Sequence, residues 1–134
     1  MSSPDTVVHG EGPDGRPILR VPTAAAWEAW LETEHESSTG VWLRLTKKGS
    51  GYRGPMYNEA VEVALCFGWI DGQSRSYDAE SWLQRFTTRR PKGKWSQSNR
   101  VRVTTLLEQG RMRPAGLRQV EAAKADGRWD AAGS

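Results

Sequence analysis

Asn58–Ser76, NEAVEVALCFGWIDGQSRS, passes from a helical to a strand pattern at a single glycine. Val61, Val63, Ala64 and Leu65 supply the apolar positions of a helix from about Asn58 to Phe67. Gly68 is the expected C-terminal stop, because glycine accepts the left-handed conformation that ends helices. Trp69 to Ser76 then reads as a strand. Trp82 to Thr87 reads as a second strand, joined to the first by the turn-like Tyr77-Asp78-Ala79-Glu80. A helix followed by a hairpin is therefore the expected centre of the fold.

Working outward, Pro17–Val21 reads as a short strand and Thr23 as the N-cap of a helix over Ala24–His35. Ala24, Trp27, Trp30 and Leu31 form the apolar stripe of that helix. Val41–Leu45 is a strand with Val41, Leu43 and Leu45 on one face and Trp42 and Arg44 on the other. Residues 47–55 read as a flexible loop. Ser96 caps a third helix, Gln97–Gln109, and Pro114 opens a fourth that runs through Lys124. Trp129 follows Gly127 as a candidate anchor. The order β-α-β-α-β-β-α-α predicts an α+β fold: one small domain over residues 17–134, with four helices packed on a short, mainly antiparallel sheet. Residues 1–16, rich in Gly, Pro and Asp, read as a flexible N-terminal arm or irregular edge.

Composition bounds the function. At 134 residues the chain suits one domain, and only 37% of it is hydrophobic, so the core rests on few side chains. The seven tryptophans are the expected heavy contributors. Net charge is only +3, but the positive charge is clustered. Fourteen Arg against five Lys fit either a GC-rich genome or bidentate oxyanion recognition. The one cysteine, Cys66, excludes an internal disulfide and a cysteine-based metal site, and its apolar setting reads as buried and inert. His9 and His35 stand isolated, and Gly49-Ser50-Gly51 lacks the context of a phosphate loop. No cofactor or metal is expected. The segment Met1–Asp5 lacks the features of a signal peptide, and no apolar run reaches membrane-spanning length. A cytoplasmic protein without a membrane partner is expected, its oligomeric state left open.

The chemistry concentrates in two adjacent stretches. Between Ser81 and Leu107 there are seven basic residues and no acidic one. Arg85, Arg89, Arg90, Lys92 and Lys94 alternate with Trp82, Phe86 and Trp95, ahead of the Ser96 helix N-terminus. Cations before a helix N-terminus suit an anion; they equally suit a solvated surface, with Arg89 or Arg90 paired to Asp71, Asp78 or Glu80. On a strand, Trp69 and Asp71 share one face. They are expected to floor a pocket, unless Asp71 orders a turn or clamps Arg85. The candidate ligand site is thus Trp69 and Asp71 as floor, Arg85, Arg89, Arg90 and Lys92 as cationic wall, and Trp95 with Ser96 as rim. No catalytic set can be assembled from these residues.

Three separated motifs carry a resemblance to a known family: Leu65–Gly72 (LCFGWIDG), Arg85–Arg100 (RFTTRRPKGKWSQSNR) and Glu108–Trp129 (EQGRMRPAGLRQVEAAKADGRW). With Tyr57-Asn58-Glu59-Ala60 ahead of them, they resemble the bacterial YdeI/OmpD-associated, or bacteriocin-protection, family from about Trp27 to Trp129. The resemblance implies a fold and a protective role against antimicrobial peptides, or association with an outer-membrane porin; a chain without a signal peptide suits the first. It brings no settled catalytic residues. The expected function is sequestration of an anionic or aromatic small molecule or peptide, giving stress or antimicrobial tolerance. The alternative is a nucleic-acid-binding module using the basic, aromatic segment 82–102, and the third reading is an enzyme of unknown reaction.

Overall fold

The computed structural model describes residues 6–131. Among the described residues five strands and four helices follow one another: β1 Val7–Glu11, β2 Pro17–Arg20, α1 Ala24–Glu34, β3 Gly40–Thr46, α2 Tyr57–Cys66, β4 Trp69–Ser76, β5 Ser81–Thr88, α3 Gln97–Glu108 and α4 Pro114–Ala125. The strands form one sheet in the order β1-β2-β3-β5-β4. Only β2 and β3 run parallel, with α1 as the crossover that such a pair requires. The other three pairings are antiparallel, so the sheet is mixed and the domain is a small α+β unit.

One expectation needs correction. Val7–Glu11, read with residues 1–16 as a flexible arm or irregular edge, is an edge strand paired antiparallel to β2, with Val7 opposite Arg20 and Val8 opposite Leu19. Its β-branched pair suits a strand, and a register shift before Glu11, beside the positive-φ Gly10, breaks the alternation that would have made it legible. The domain therefore begins before residue 17. Residues 1–5 lie outside the described residues.

The inner face of the sheet carries the core. Val41, Leu43 and Leu45 of β3, Phe86 of β5 and Trp69 of β4 pack against Trp27, Trp30 and Leu31 of α1 and Val61, Ala64 and Leu65 of α2. Trp27 stacks on Trp30, and both meet Trp69 edge-on. The Trp27 indole N–H, buried with its ring, donates to the Ala60 carbonyl at 3.0 Å. On the outer face Ile18, Trp42 and Leu83 form a second, small cluster, as the alternation of β3 requires.

Two glycines fix the joints that set up the site. Gly68 takes φ +76° between α2 and β4, a conformation that disfavours any side chain. At Gly116 of α4 a Cβ would collide with the Cys66 carbonyl oxygen, so the close seating of α4 on the end of α2 requires glycine. Thr23 and Ser96 cap α1 and α3 as expected: Thr23 Oγ1 accepts from the Ala26 N–H and Ser96 Oγ from the Asn99 N–H, each at 3.1 Å.

Candidate functional site

Strand β4 is a sheet edge, and the basic segment leaving β5 folds across its end. The turn at 89–94 is held by its own backbone and by two arginines. The Arg89 N–H donates to the Gly68 carbonyl at 3.3 Å and the Gly93 N–H to the Arg90 carbonyl at 3.0 Å. Arg89 Nη2 donates to the Lys94 carbonyl at 2.9 Å, and Arg128 Nη1 reaches from beyond α4 to the Gly93 carbonyl at 2.8 Å. The loop thus closes over the strand end through contacts within the protein.

Two cavities flank the strand end. The first, of about 520 Å³, lies among Ile70, Asp71 and Gly72 of β4, Arg85 and Thr87 of β5, and Arg89, Arg90 and Lys94 of the loop, with Arg16 and Thr39 closing it. The second, of about 510 Å³, lies between Tyr57, Asp71 and the start of α3, where Trp95, Ser96, Ser98, Asn99 and Arg102 line it. Both volumes suit a small ligand. Ile70, Asp71 and Lys94 border both.

Arg89 is the unusual group. It is only 7% exposed, and its guanidinium stacks on the Trp95 ring at 3.9 Å. Its Nε and Nη1 are buried with no hydrogen-bond partner, and among the described residues it joins no carboxylate in an ion pair. Burial, reinforced by the Arg128 charge and partly offset by that of Asp71, lowers it to about 10, so it remains a cation at neutral pH. A buried cation lacking a counter-ion is costly and uncommon. The structural alternative for the basic stretch was a solvated cationic surface with Arg89 or Arg90 paired to Asp71, Asp78 or Glu80; Arg90, Lys92 and Lys94 are exposed, but among the described residues neither arginine forms such a pair. Instead, Asp71 accepts the Tyr57 hydroxyl at 2.6 Å and Asp78 pairs with Arg44 at 3.0 Å. Burial, with the hydrogen bond to Asp71 and its charge, pushes Tyr57 up to about 12, so the phenol stays a donor.

A family model described as "Domain of unknown function (DUF8412)" matches residues 19–119. The chain belongs to this family. The match spans β2 to the middle of α4, so the DUF8412 region holds every residue named above at the two cavities except Arg16. No curated protein and no solved structure matches the chain.

The eight residues proposed from sequence divide within the DUF8412 domain. Arg85, Arg89 and Arg90 line the first cavity, Trp95 and Ser96 the second, and Asp71 both. Trp69 does not floor either cavity. It is 1% exposed and held in the core by Trp27 and Trp30, because the helices cover the face of β4 on which it sits. Ile70 and Asp71 floor the site instead. Lys92 lines neither cavity and is exposed on the outer side of the turn. The Ser96 hydroxyl is committed to capping α3.

The arm that sequence reading set aside supplies a wall. Asp14 bridges Arg16 at 2.6 Å and Arg85 at 3.4 Å, and accepts the Trp42 indole N–H at 2.7 Å. Burial opposes ionisation of Asp14, but the bonds from Trp42 and from the Arg16 backbone and guanidinium outweigh it. The carboxyl is held well below the usual range. Tyr57, Thr39, Asn99 and Arg102 were also missed. Of these, Tyr57 and Asn99 lay in motifs singled out from the sequence and Arg102 in the basic segment 82–102, none of them with a site role assigned. Cys66 is buried, and burial raises its thiol to about 11. Among the described residues no three His, Cys, Asp or Glu side chains gather as a metal would need, and no helix is long and apolar enough to cross a membrane.

Proposed function

We propose that this domain binds a small anionic ligand non-covalently in the cavity between edge strand β4 and the 89–94 turn. The observation that carries the reading is Arg89, a buried guanidinium stacked on Trp95 with two nitrogens unpartnered, beside a cavity bordered by four further cations. An anion entering there exchanges its water for charge-assisted hydrogen bonds in a setting of reduced dielectric, where they are strong. The turn is already held by Gly68, Lys94 and Arg128, so little ordering is needed on binding.

The geometry favours binding over catalysis. Tyr57 is held protonated, Cys66 is buried as a thiol, and among the described residues Asp71 is hydrogen-bonded by no side chain other than Tyr57. It also favours a pocket over a nucleic-acid track. Phe86 and Trp95 are buried and Trp82 lies half-buried against Tyr57, so these aromatics offer no row of open faces for stacking bases. The resemblance to the YdeI/OmpD-associated proteins supports sequestration in the cytoplasm, with antimicrobial or stress tolerance as its outcome.

The test is a thermal-shift and calorimetric series with inorganic phosphate, sulfate, malonate and citrate at low ionic strength, on the wild type and Arg89→Met. Saturable binding of at least one anion, abolished in the variant, is expected. Equal responses from both proteins would remove the assignment.

A further inference from the structure

The charge balance of the first cavity, together with the one carboxylate on its lining, specifies the ligand class. Five cations line it: Arg16, Arg85, Arg89, Arg90 and Lys94. Two carboxylates oppose them, Asp71 on the lining and Asp14 behind Arg16 and Arg85, which leaves three positive charges in excess. A carboxylate ligand brings one negative charge and two oxygens. A phosphomonoester brings about −1.5 to −2 and three terminal oxygens. The guanidinium groups of Arg85 and Arg90, the Lys94 ammonium and the hydroxyls of Thr39, Thr87 and Thr88 on the lining offer more donors than a carboxylate can accept.

Asp71 sits where the two cavities meet. One oxygen is fixed by Tyr57; among the described residues the other has no hydrogen-bond partner. A fixed carboxylate beside an anion site repels the anion, so its use is to accept a proton donor carried by the same ligand. An ammonium is disfavoured there. Lys94 and Arg102 line the adjoining cavity, and the positive end of α3 opens onto it. A neutral hydroxyl meets no such opposition. The rest of that cavity presents Ser98 and Asn99, polar and uncharged groups suited to further hydroxyls.

We infer that the ligand is a phosphorylated polyol: its phosphate lies against Arg89, Arg85 and Arg90, a neighbouring hydroxyl donates to Asp71, and the remaining chain enters the cavity at the start of α3. This rests on the anion-binding reading above. The experiment is calorimetry at low ionic strength with inorganic phosphate, glycerol 3-phosphate, n-propyl phosphate, phosphoethanolamine and malonate, on wild type and Asp71→Asn.

Glycerol 3-phosphate is expected to bind about tenfold more tightly than propyl phosphate, the discrimination typical of a lost hydrogen bond to a charged acceptor. Phosphoethanolamine is expected to be weaker than glycerol 3-phosphate. In Asp71→Asn the preference for glycerol 3-phosphate should vanish, while inorganic phosphate binds as well or better because a repelling charge is gone. That gain cannot come from a damaged fold. Equal binding of glycerol and propyl phosphates by the wild type, tighter binding of phosphoethanolamine, or binding of malonate alone would overturn the polyol phosphate and leave the anion site standing. Binding of none of these anions would overturn both.

Discussion

Replacing Arg89 with methionine tests whether this cation is kept for a ligand or for the fold. The folded protein lowers the group from its ordinary value to about 10, mainly by burial. At about 1.4 kcal/mol for each tenfold change in acidity, this opposes folding by about 3 kcal/mol. On the other side stand one hydrogen bond to the Lys94 carbonyl, worth about 1 kcal/mol, and the stack on Trp95, worth about 2 kcal/mol for a desolvated pair. The two sides nearly cancel. Methionine keeps an unbranched apolar stem against Trp95, and the exposed Lys94 position lets water reach the released carbonyl. Arg89→Met should therefore unfold within about 1 kcal/mol of wild type in urea, followed by far-UV circular dichroism, with Tm changed by no more than about 4 °C. The expected result is preserved stability with lost anion binding. A loss of about 3 kcal/mol or more is the signature of a broken buried pair and would refute the reasoning.

Trp69→Ala should cost about 3–5 kcal/mol, because it removes a fully buried indole from contact with Trp27 and Trp30, and a urea-unfolding loss below about 1 kcal/mol would contradict that placement. Asp14 has a lowered folded-state pKa, so its contribution is complete above the unfolded carboxylate value of about 3.9 and is lost as pH falls through the folded one. Asp14→Asn should accordingly flatten the decline in Tm between about pH 4 and pH 2, and an unchanged acid limb would refute the bridge to Trp42, Arg16 and Arg85. With its thiol raised to about 11, Cys66 should stay unmodified by a thiol reagent at pH 8 until the protein is unfolded; rapid labelling of the native protein would contradict its burial.

The parts of this molecule legible in sequence were those with strong local signals. The α2–Gly68–β4 joint followed from a helical stripe ending at a glycine, and β4 was legible at its observed bounds. The two faces of β3 followed from alternation alone. Strand β1 was not legible, because its register shifts beside Gly10 and its apolar residues are exposed rather than alternating. Trp69, expected both as a core tryptophan and as the pocket floor, is core alone, for a different reason. Alternation places it on the same side as Asp71 but does not say that α1 covers that side over one residue and leaves the next open. Arg16 and Asp14 enter the site through pairing of β1 and β2 and through contact with Trp42, a residue 28 positions away, which no local pattern encodes.

The central claim is that the Arg89 guanidinium is kept for an anion, and its own N–H signals report this most directly. Titration of nitrogen-15-labelled protein with inorganic phosphate at low ionic strength should move the Arg89 Nε–H and Trp95 indole resonances in a saturable way. Companion shifts should be confined to Thr39, Ile70–Gly72, Arg85 and the 89–94 turn, around the first cavity. Arg89 and Trp95 resonances that stay fixed, or drift without saturating alongside those of arginines remote from the cavity such as Arg75 and Arg118, would contradict it.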